Sequence, residues 1–398
     1  MSVPGRTSAR HPAPGSTASL RAANQRRVIA QLQSGTGSQI SQAEIARATH
    51  LAPATVSNIV RDLARAGLVD TVTGSGRRGT TVSISRKAGL VIGVDFGHRH
   101  VRVAVGDLAG ALLAEKSEPI APDHDHDHGL DIVVRLLDEL LEAVGGSHDE
   151  IVTVGLGLPA PVNDDDVVMS SGILPGWVGV NAREATEERL HAPTYVENDA
   201  NLGALAEFRL GAGVGHDNMV FVKVSSGVGA GLIVRGSLYR GAAGTAGELG
   251  HLTIDEQGPL CRCGSRGCLE AYTSVGTVES MLADQFPGAT IEDLVSAAQE
   301  GNVAALRTFE DAGLHLGWGL AMLANLFNPS TIVVGGDMAR AGNMLLDSVR
   351  VGMRRHVLPS VAATTSVVAA ELGDRASSVG ALLLAIERTE LIPMHGVG

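Results

Sequence analysis

Cysteine is nearly absent from this 398-residue chain. It has three, and all of them lie between positions 261 and 268. An odd number confined to so short a stretch argues against a disulfide framework and suits a reducing compartment. Long apolar runs are also missing. No stretch approaches the roughly 20 apolar residues of a membrane helix, and the N-terminus lacks the apolar core of a secretory signal. A cytoplasmic location and no membrane partner are therefore expected. Acid is scarce in one region only. Residues 1–90 hold 3 Asp and Glu against 12 Lys and Arg, a balance of +9, so a chain of net −12 carries −21 in the remainder. A basic head suits a polyanion, and an acidic body would repel one. A basic tail is often no more than a solvated tail, so the charge acquires meaning only from the fold within it.

That fold is legible. The length predicts two or three domains, and with 44% hydrophobic residues the chain can bury a sizeable core. Residues 1–16, rich in Pro, Gly, Ser and Ala, read as a disordered arm. Helical patterning starts near Leu20, with Val28, Ile29 and Leu32 on one face. After a short Ser/Gly/Thr linker, Ser41 and Glu44 have the capping-box spacing and start a helix running to about Thr49. Pro53 then stands at the first position of a second helix, whose inward stripe is Val56, Ile59, Val60 and Leu63. Two short strands, 68–73 and 81–85, flank a Gly-Ser-Gly-Arg-Arg-Gly tip. Residues 17–86 are therefore expected to form a winged helix-turn-helix binding double-stranded operator DNA. Thr55, Ser57, Asn58 and Arg61 lie on the outward face of the second helix, where they can reach base edges. Arg77 and Arg78 at the wing tip suit a minor groove or a backbone, and Arg21, Arg26, Arg27 and Arg47 could add phosphate contacts. A basic protein-interaction domain is the competing reading.

From Leu90 the character changes to buried strands alternating with helices, an α/β body over 87–398. The run Asp123 to His128, alternating Asp and His, reads as a solvated loop more readily than as a metal site. Two motifs carry chemistry. A glycine-rich segment, residues 241–251, ends in Glu248 and His251 and is followed by Cys261-Arg-Cys263-Gly-Ser-Arg-Gly-Cys268-Leu-Glu270. Three thiolates with a histidine ten residues upstream can supply a closed Cys3His tetrahedral site for structural zinc. The alternative is three unrelated buried cysteines. The second motif is Val196-Glu-Asn198-Asp199-Ala-Asn201, at a strand end and a helix start. Asn198 and Asp199 there serve either a ligand or merely a helix cap.

Together these motifs resemble the ROK family, which groups bacterial sugar kinases with sugar-responsive repressors. The resemblance covers nearly the whole chain, the winged head matching the repressor branch. It implies a two-lobed, actin-like, ribonuclease-H-like sugar-kinase domain with a zinc knuckle, held by His251, Cys261, Cys263 and Cys268. It implies that Asn198, Asp199, Glu248, His251 and Glu270 bind a monosaccharide, His251 serving both metal and sugar. In the kinases the aspartate at position 199 is the general base. Residues 155–161 and 174–177 also resemble segments near the sugar cleft.

The nucleotide side departs from the family. The kinase pattern D-x-G-G-T reads Asp95-Phe-Gly97-His98-Arg99 here, so side chains stand where phosphate should approach. The pattern G-T-G-x-G-x-G has become Ser225-Ser226-Gly-Val-Gly-Ala-Gly, and Gly335-Gly336 is followed by Asp337. ATP and Mg are not expected as cofactors. The reading is a non-catalytic sugar sensor, acting as a homodimer or homotetramer and repressing carbohydrate genes until sugar binds. A hexose kinase with a regulatory DNA-binding head stays open, in which case Asp199 is catalytic.

Overall fold

The computed structural model describes residues 17–33, 39–73, 79–163, 165–169 and 174–389. The expected arm and the wing-tip Arg77 and Arg78 lie outside the described residues.

The head opens with α1 (Thr17–Gln33), the two-residue β1 (Ile40–Ser41), α2 (Gln42–Thr49) and α3 (Pro53–Arg65). The hairpin β2 (Val69–Thr73) and β3 (Thr80–Ile84) completes it, and β1 pairs with β3. The Ser41 hydroxyl accepts the Glu44 N–H at 3.2 Å, and the Glu44 carboxylate accepts the Ser41 N–H at 3.0 Å. Two orphan helix donors are thus satisfied reciprocally. The expected stripe Val56, Ile59, Val60 and Leu63 is buried on α3.

The body is two lobes of one pattern. The first holds β4 (Leu90–Phe96), β5 (His100–Asp107), β6 (Leu112–Pro119), α4 (His126–Val144), β7 (Ile151–Leu158), α5 (Ala182–Leu190) and β8 (Thr194–Asn198). Its sheet runs β6-β5-β4-β7-β8, with β4 to β6 antiparallel and β7 and β8 parallel to β4. Helix α6 (Asp199–Leu210) then leads to the second lobe. There follow β9 (Met219–Val224), β10 (Val228–Val234), β11 (Ser237–Tyr239), α7 (Glu270–Thr273), α8 (Val275–Leu282), α9 (Ile291–Gln299) and α10 (Val303–Phe327). The lobe closes with β12 (Thr331–Gly335), α11 (Asn343–His356), α12 (Pro359–Ala362) and β13 (Ser366–Ala369). Its sheet order, β11-β10-β9-β12-β13, repeats the first. Finally α13 (Ala376–Arg388) returns to the first lobe.

One expectation is corrected. The run from Asp123 is not a solvated loop. Asp125 caps α4 through the His128 N–H at 2.7 Å, and His124 is buried, stacked on Phe96 and accepting the Trp177 indole N–H at 3.3 Å. Trp177, in the segment that resembles one near the sugar cleft, is fully buried in the first lobe's core, its large apolar ring packed edge-on against Phe96. Two of the head arginines that could add phosphate contacts also have protein partners: Arg21 pairs with Asp62 at 2.6 Å, and Arg27 donates to the Thr49 carbonyl at the end of α2. Among the described residues, no helix is long and apolar enough to cross a membrane.

Candidate functional site

A cavity of about 350 Å³ opens between the lobes, within the usual range for small-ligand sites. Asn198, Asp199, Glu248, His251 and Glu270 all line it, although they come from one strand end, two helix starts and a glycine-rich loop. Pro159, Ala160 and Pro161, from the 155–161 segment, form its first-lobe wall.

Asn198 caps α6, its Oδ1 accepting the Ala200 N–H at 2.9 Å and the Asn201 N–H at 3.3 Å. The cap reading is therefore correct, and the side-chain NH2 is what this residue can offer a ligand. Gly247, at φ 102°, lies against the Ala230 carbonyl of β10, where a Cβ would collide with it. That close approach seats Glu248 and His251 in the cavity. Burial pushes the Glu248 carboxyl up, helped by Glu270 and Asp199 and opposed by His251. Both Glu270 oxygens have protein donors: Oε2 accepts the Val228 N–H at 3.0 Å and Oε1 accepts Arg262 Nε at 2.6 Å. A carboxylate has lone pairs beyond these for a ligand hydroxyl. Arg262, which sits between two of the cysteines, also donates to the Ser226 carbonyl.

His251, Cys261, Cys263 and Cys268 place one ligand atom each within 4.8 Å of one another. Cys261 Sγ lies 3.7 Å from His251 Nδ1, and Cys263 Sγ 3.7 Å from Cys268 Sγ. A tetrahedron with Zn–S bonds of about 2.3 Å has S–S edges of about 3.8 Å, so the set fits zinc. Burial pushes the Cys268 thiol up to about 12, a direction that a cation among the sulfurs would reverse. The other ring nitrogen of His251, Nε2, stands 3.8 Å from Glu248. The ring thus faces both the cysteines and the cavity.

The opposite end of the cavity is occupied by side chains paired with one another. Lys223 of β9, nearly buried, donates to Asp199 Oδ2 at 2.7 Å and to Ser377 Oγ at 3.1 Å. Burial works against its charge, yet Asp199 and Asp95 hold its pKa above the ordinary lysine value. Asp199 is pushed up by burial, an effect Lys223 offsets only in part and Asp95 adds to. Burial likewise opposes ionisation of Asp95, but Lys223, His100 and Arg102 together hold its carboxyl below the usual aspartate value. His100 Nε2 lies 3.4 Å from Asp95, and its ring covers Gly97. Arg99 lies 3.7 Å from Glu279 of α8, bridging the lobes. Asp337 N–H donates to Ser225 Oγ at 3.1 Å. Sequence reasoning missed Lys223. The signal was present, since it is one of only three lysines in the chain and sits inside an otherwise apolar strand.

In the head, Asn58 and Arg61 are exposed on α3, Arg61 donating to Asn58 Oδ1 at 3.1 Å, while Thr55 and Ser57 are half-buried beside them. Residues 91–388 match the ROK family and residues 21–79 the MarR family. The chain belongs to the ROK family. It is 28% identical over 357 residues to the xylose repressor of Bacillus subtilis strain 168, covering 88% of this chain and 92% of that one. It is 33% identical over 321 residues to the glucokinase of Streptomyces coelicolor, covering 75% and 98%. Among solved structures it resembles a ROK family transcriptional regulator, a homologue of the E. coli MLC protein. The TM-score is 0.77 at 25% identity, over 94% of this chain and 98% of that one. The transcriptional regulator's structure and the xylose repressor cover 94% and 88% of this chain, whereas the glucokinase covers 75%.

Proposed function

We propose that this ROK protein is a sugar-responsive DNA-binding regulator, a cytoplasmic repressor of carbohydrate genes that a bound monosaccharide releases from its operator, and that it does not phosphorylate the sugar. The observation that carries this reading is the Lys223–Asp199 pair. Asp199 stands where a kinase needs a free general base, and its Oδ2 is held 2.7 Å from a buried ammonium. Proton transfer to that oxygen would have to break the ion pair in a site of low dielectric, which is costly. Binding is another matter. Asp199, Glu248 and Glu270 can accept hydroxyl hydrogens, and Asn198 can donate to a sugar oxygen. A zinc ion bound by His251 and the three cysteines would fix the knuckle on which His251 and Arg262 stand.

Asn58 and Arg61 of α3 would read the major groove, Thr55 and Ser57 supporting them, and Arg77 and Arg78 would contact DNA from the wing. Two heads of a homodimer, or of a dimer of dimers, would match a pseudo-palindromic operator. Sugar must prefer the conformer with the weaker DNA affinity, since equal affinity for both would shift nothing.

Titration calorimetry of the zinc-loaded protein against a panel of monosaccharides, with and without Mg-ATP, tests this, followed by a coupled assay for ADP. Sugar binding without ATP binding or ADP release is the expected result. ADP formation that depends on sugar and on Asp199 would instead establish the second reading, a hexose kinase with a regulatory head, which the retained Asp199 favours.

A further inference from the structure

We propose that α13 carries occupancy of the cleft to the DNA-binding head, with the contact between Lys223 and Ser377 as its sensing end. The proposal rests on the sensor reading above and adds the route by which the signal leaves the site.

At its first turn, α13 touches the cleft from behind. Ser377 Oγ accepts from Lys223 Nζ at 3.1 Å and donates to the Asp199 carbonyl at 3.0 Å. Ser377 does not line the cavity, so it reads Asp199 and Lys223 without contacting a ligand. A sugar hydroxyl arriving at Asp199 competes with Lys223 for the same carboxylate, and any adjustment of that ammonium is felt at Ser377.

One face of the helix's middle is held too closely to shift by itself, although a cavity of about 130 Å³ lies beside Val379, Leu382, Leu383 and Ile386 on another. A Cβ on Gly380 would collide with the Leu202 carbonyl of α6, one on Gly155 with the Ala381 carbonyl, and one on Gly93 with the Ser378 carbonyl. Helix α13 is thus packed backbone to backbone against α6, β7 and β4. Close-packed contacts of this kind transmit a shift as a rigid body rather than dissipate it.

The last turns pack between the first-lobe sheet, through Val91 of β4 and Ala104 of β5, and the base of the head. Leu382, Ala385 and Ile386 share one buried cluster with Val28, Ile29 and Leu32 of α1 and with Val56, Ile59, Val60 and Leu63 of α3. Gln33 Nε2 donates to the Ile386 carbonyl at 3.3 Å. From Ser377 to Ile386 the axial rise is about 14 Å. The chain passes between the lobes at α6 and again on entering α13, so any relative motion of the lobes acts on this helix at its N-terminal end.

Hydrogen exchange of the zinc-loaded full chain, read by mass spectrometry, tests the proposal without a ligand. Ser377→Ala is expected to change exchange by at least about fivefold in residues 382–388 and 26–33, the scale of a typical coupling free energy. Lys223→Met should give the same pattern more strongly, while α10 and α11 stay unchanged. Coupling is reciprocal, so Gln33→Ala should alter exchange in residues 198–204. Changes in both cleft variants that stop beside residues 223 and 377, or that rise equally in α10 and α11, would overturn the proposal. In a second arm, D-glucose, D-xylose and N-acetyl-D-glucosamine are added to the wild type. Binding that also changes residues 26–33 supports the route, and binding that leaves them unchanged defeats it. Failure of every sugar to bind would count against the sensor reading, whereas the variants judge the helix on their own.

Discussion

The two ends of the cleft are made of the same kinds of residue engaged to different degrees, and even at the knuckle end Glu270 is tied to Arg262 at 2.6 Å. At the knuckle end, Glu248 and His251 stand 3.8 Å apart on a glycine-seated loop and face the cavity. At the other end, carboxylates and cations are paired with one another: Lys223 with Asp199, His100 with Asp95, Arg99 with Glu279. Charges that face the cavity can meet a ligand directly, while paired ones, Asp199 among them, must first loosen a protein contact. A kinase needs the first kind at both ends, one for sugar and one for phosphate. Here that end holds internal ties, Arg99 with Glu279 across the lobes and His100 with Asp95 within the first, and on the proposed reading such ties separate a sensor from an enzyme on one fold.

The comparison can be broken most severely at the knuckle. Cys268→Ser should abolish stoichiometric zinc, measured by metal analysis, and weaken sugar binding by about 100-fold in calorimetry. Retained sugar affinity would mean that the knuckle does not organise its end of the cleft. Arg61→Ala should weaken operator binding by about 1–3 kcal/mol in a fluorescence titration and leave sugar affinity as it was. Unchanged DNA affinity would remove Arg61 from the interface.

The boundary between the two ends can be sharpened by pH. Asp95 has a lowered pKa in the folded state, so its contribution to stability is present above its ordinary value and lost as pH falls through the folded one. Asp199 has a raised pKa, so its folded form takes up the proton first and gains stability, relative to the unfolded chain, on acidification. In urea unfolding across the acid range, Asp95→Asn should therefore reduce the acid loss and Asp199→Asn should deepen it. The same sign for both would show that the two carboxylates are not divided as described. The smallest effect is expected from restoring the kinase-like loop with His98→Gly and Arg99→Thr together. Arg99 is largely exposed, its pair with Glu279 worth under about 1 kcal/mol, so stability should barely move. ATP turnover should stay at background, because Lys223 still holds Asp199. ADP release by this variant would show that the loop alone had silenced the enzyme.

Much of this was legible in the chain. The capping box at Ser41 and Glu44, Pro53 at a helix start and the stripe on α3 are local signals, decided by residues three or four apart. The Cys3His set is nearly local as well, and its spacing survives folding into one cluster. What escaped was paired across distance. Lys223 meets Asp199 and Ser377 from separate elements, and nothing in the sequence around any of them announces the others. The Asp123 to His128 run misled because alternating Asp and His reads as polar, whereas the tertiary fold turns Asp125 into a cap and buries His124 against Phe96 and Trp177.

The sequence by itself determined the winged head, the α/β body, the candidate Cys3His set and the family, because periodicity, capping and ligand spacing act over a few residues. The tertiary structure alone decided which charges are spent on one another and that α13 joins cleft to head. Charge pairing and backbone-close packing depend on which distant segments meet, and a one-dimensional pattern does not encode that meeting in any short stretch.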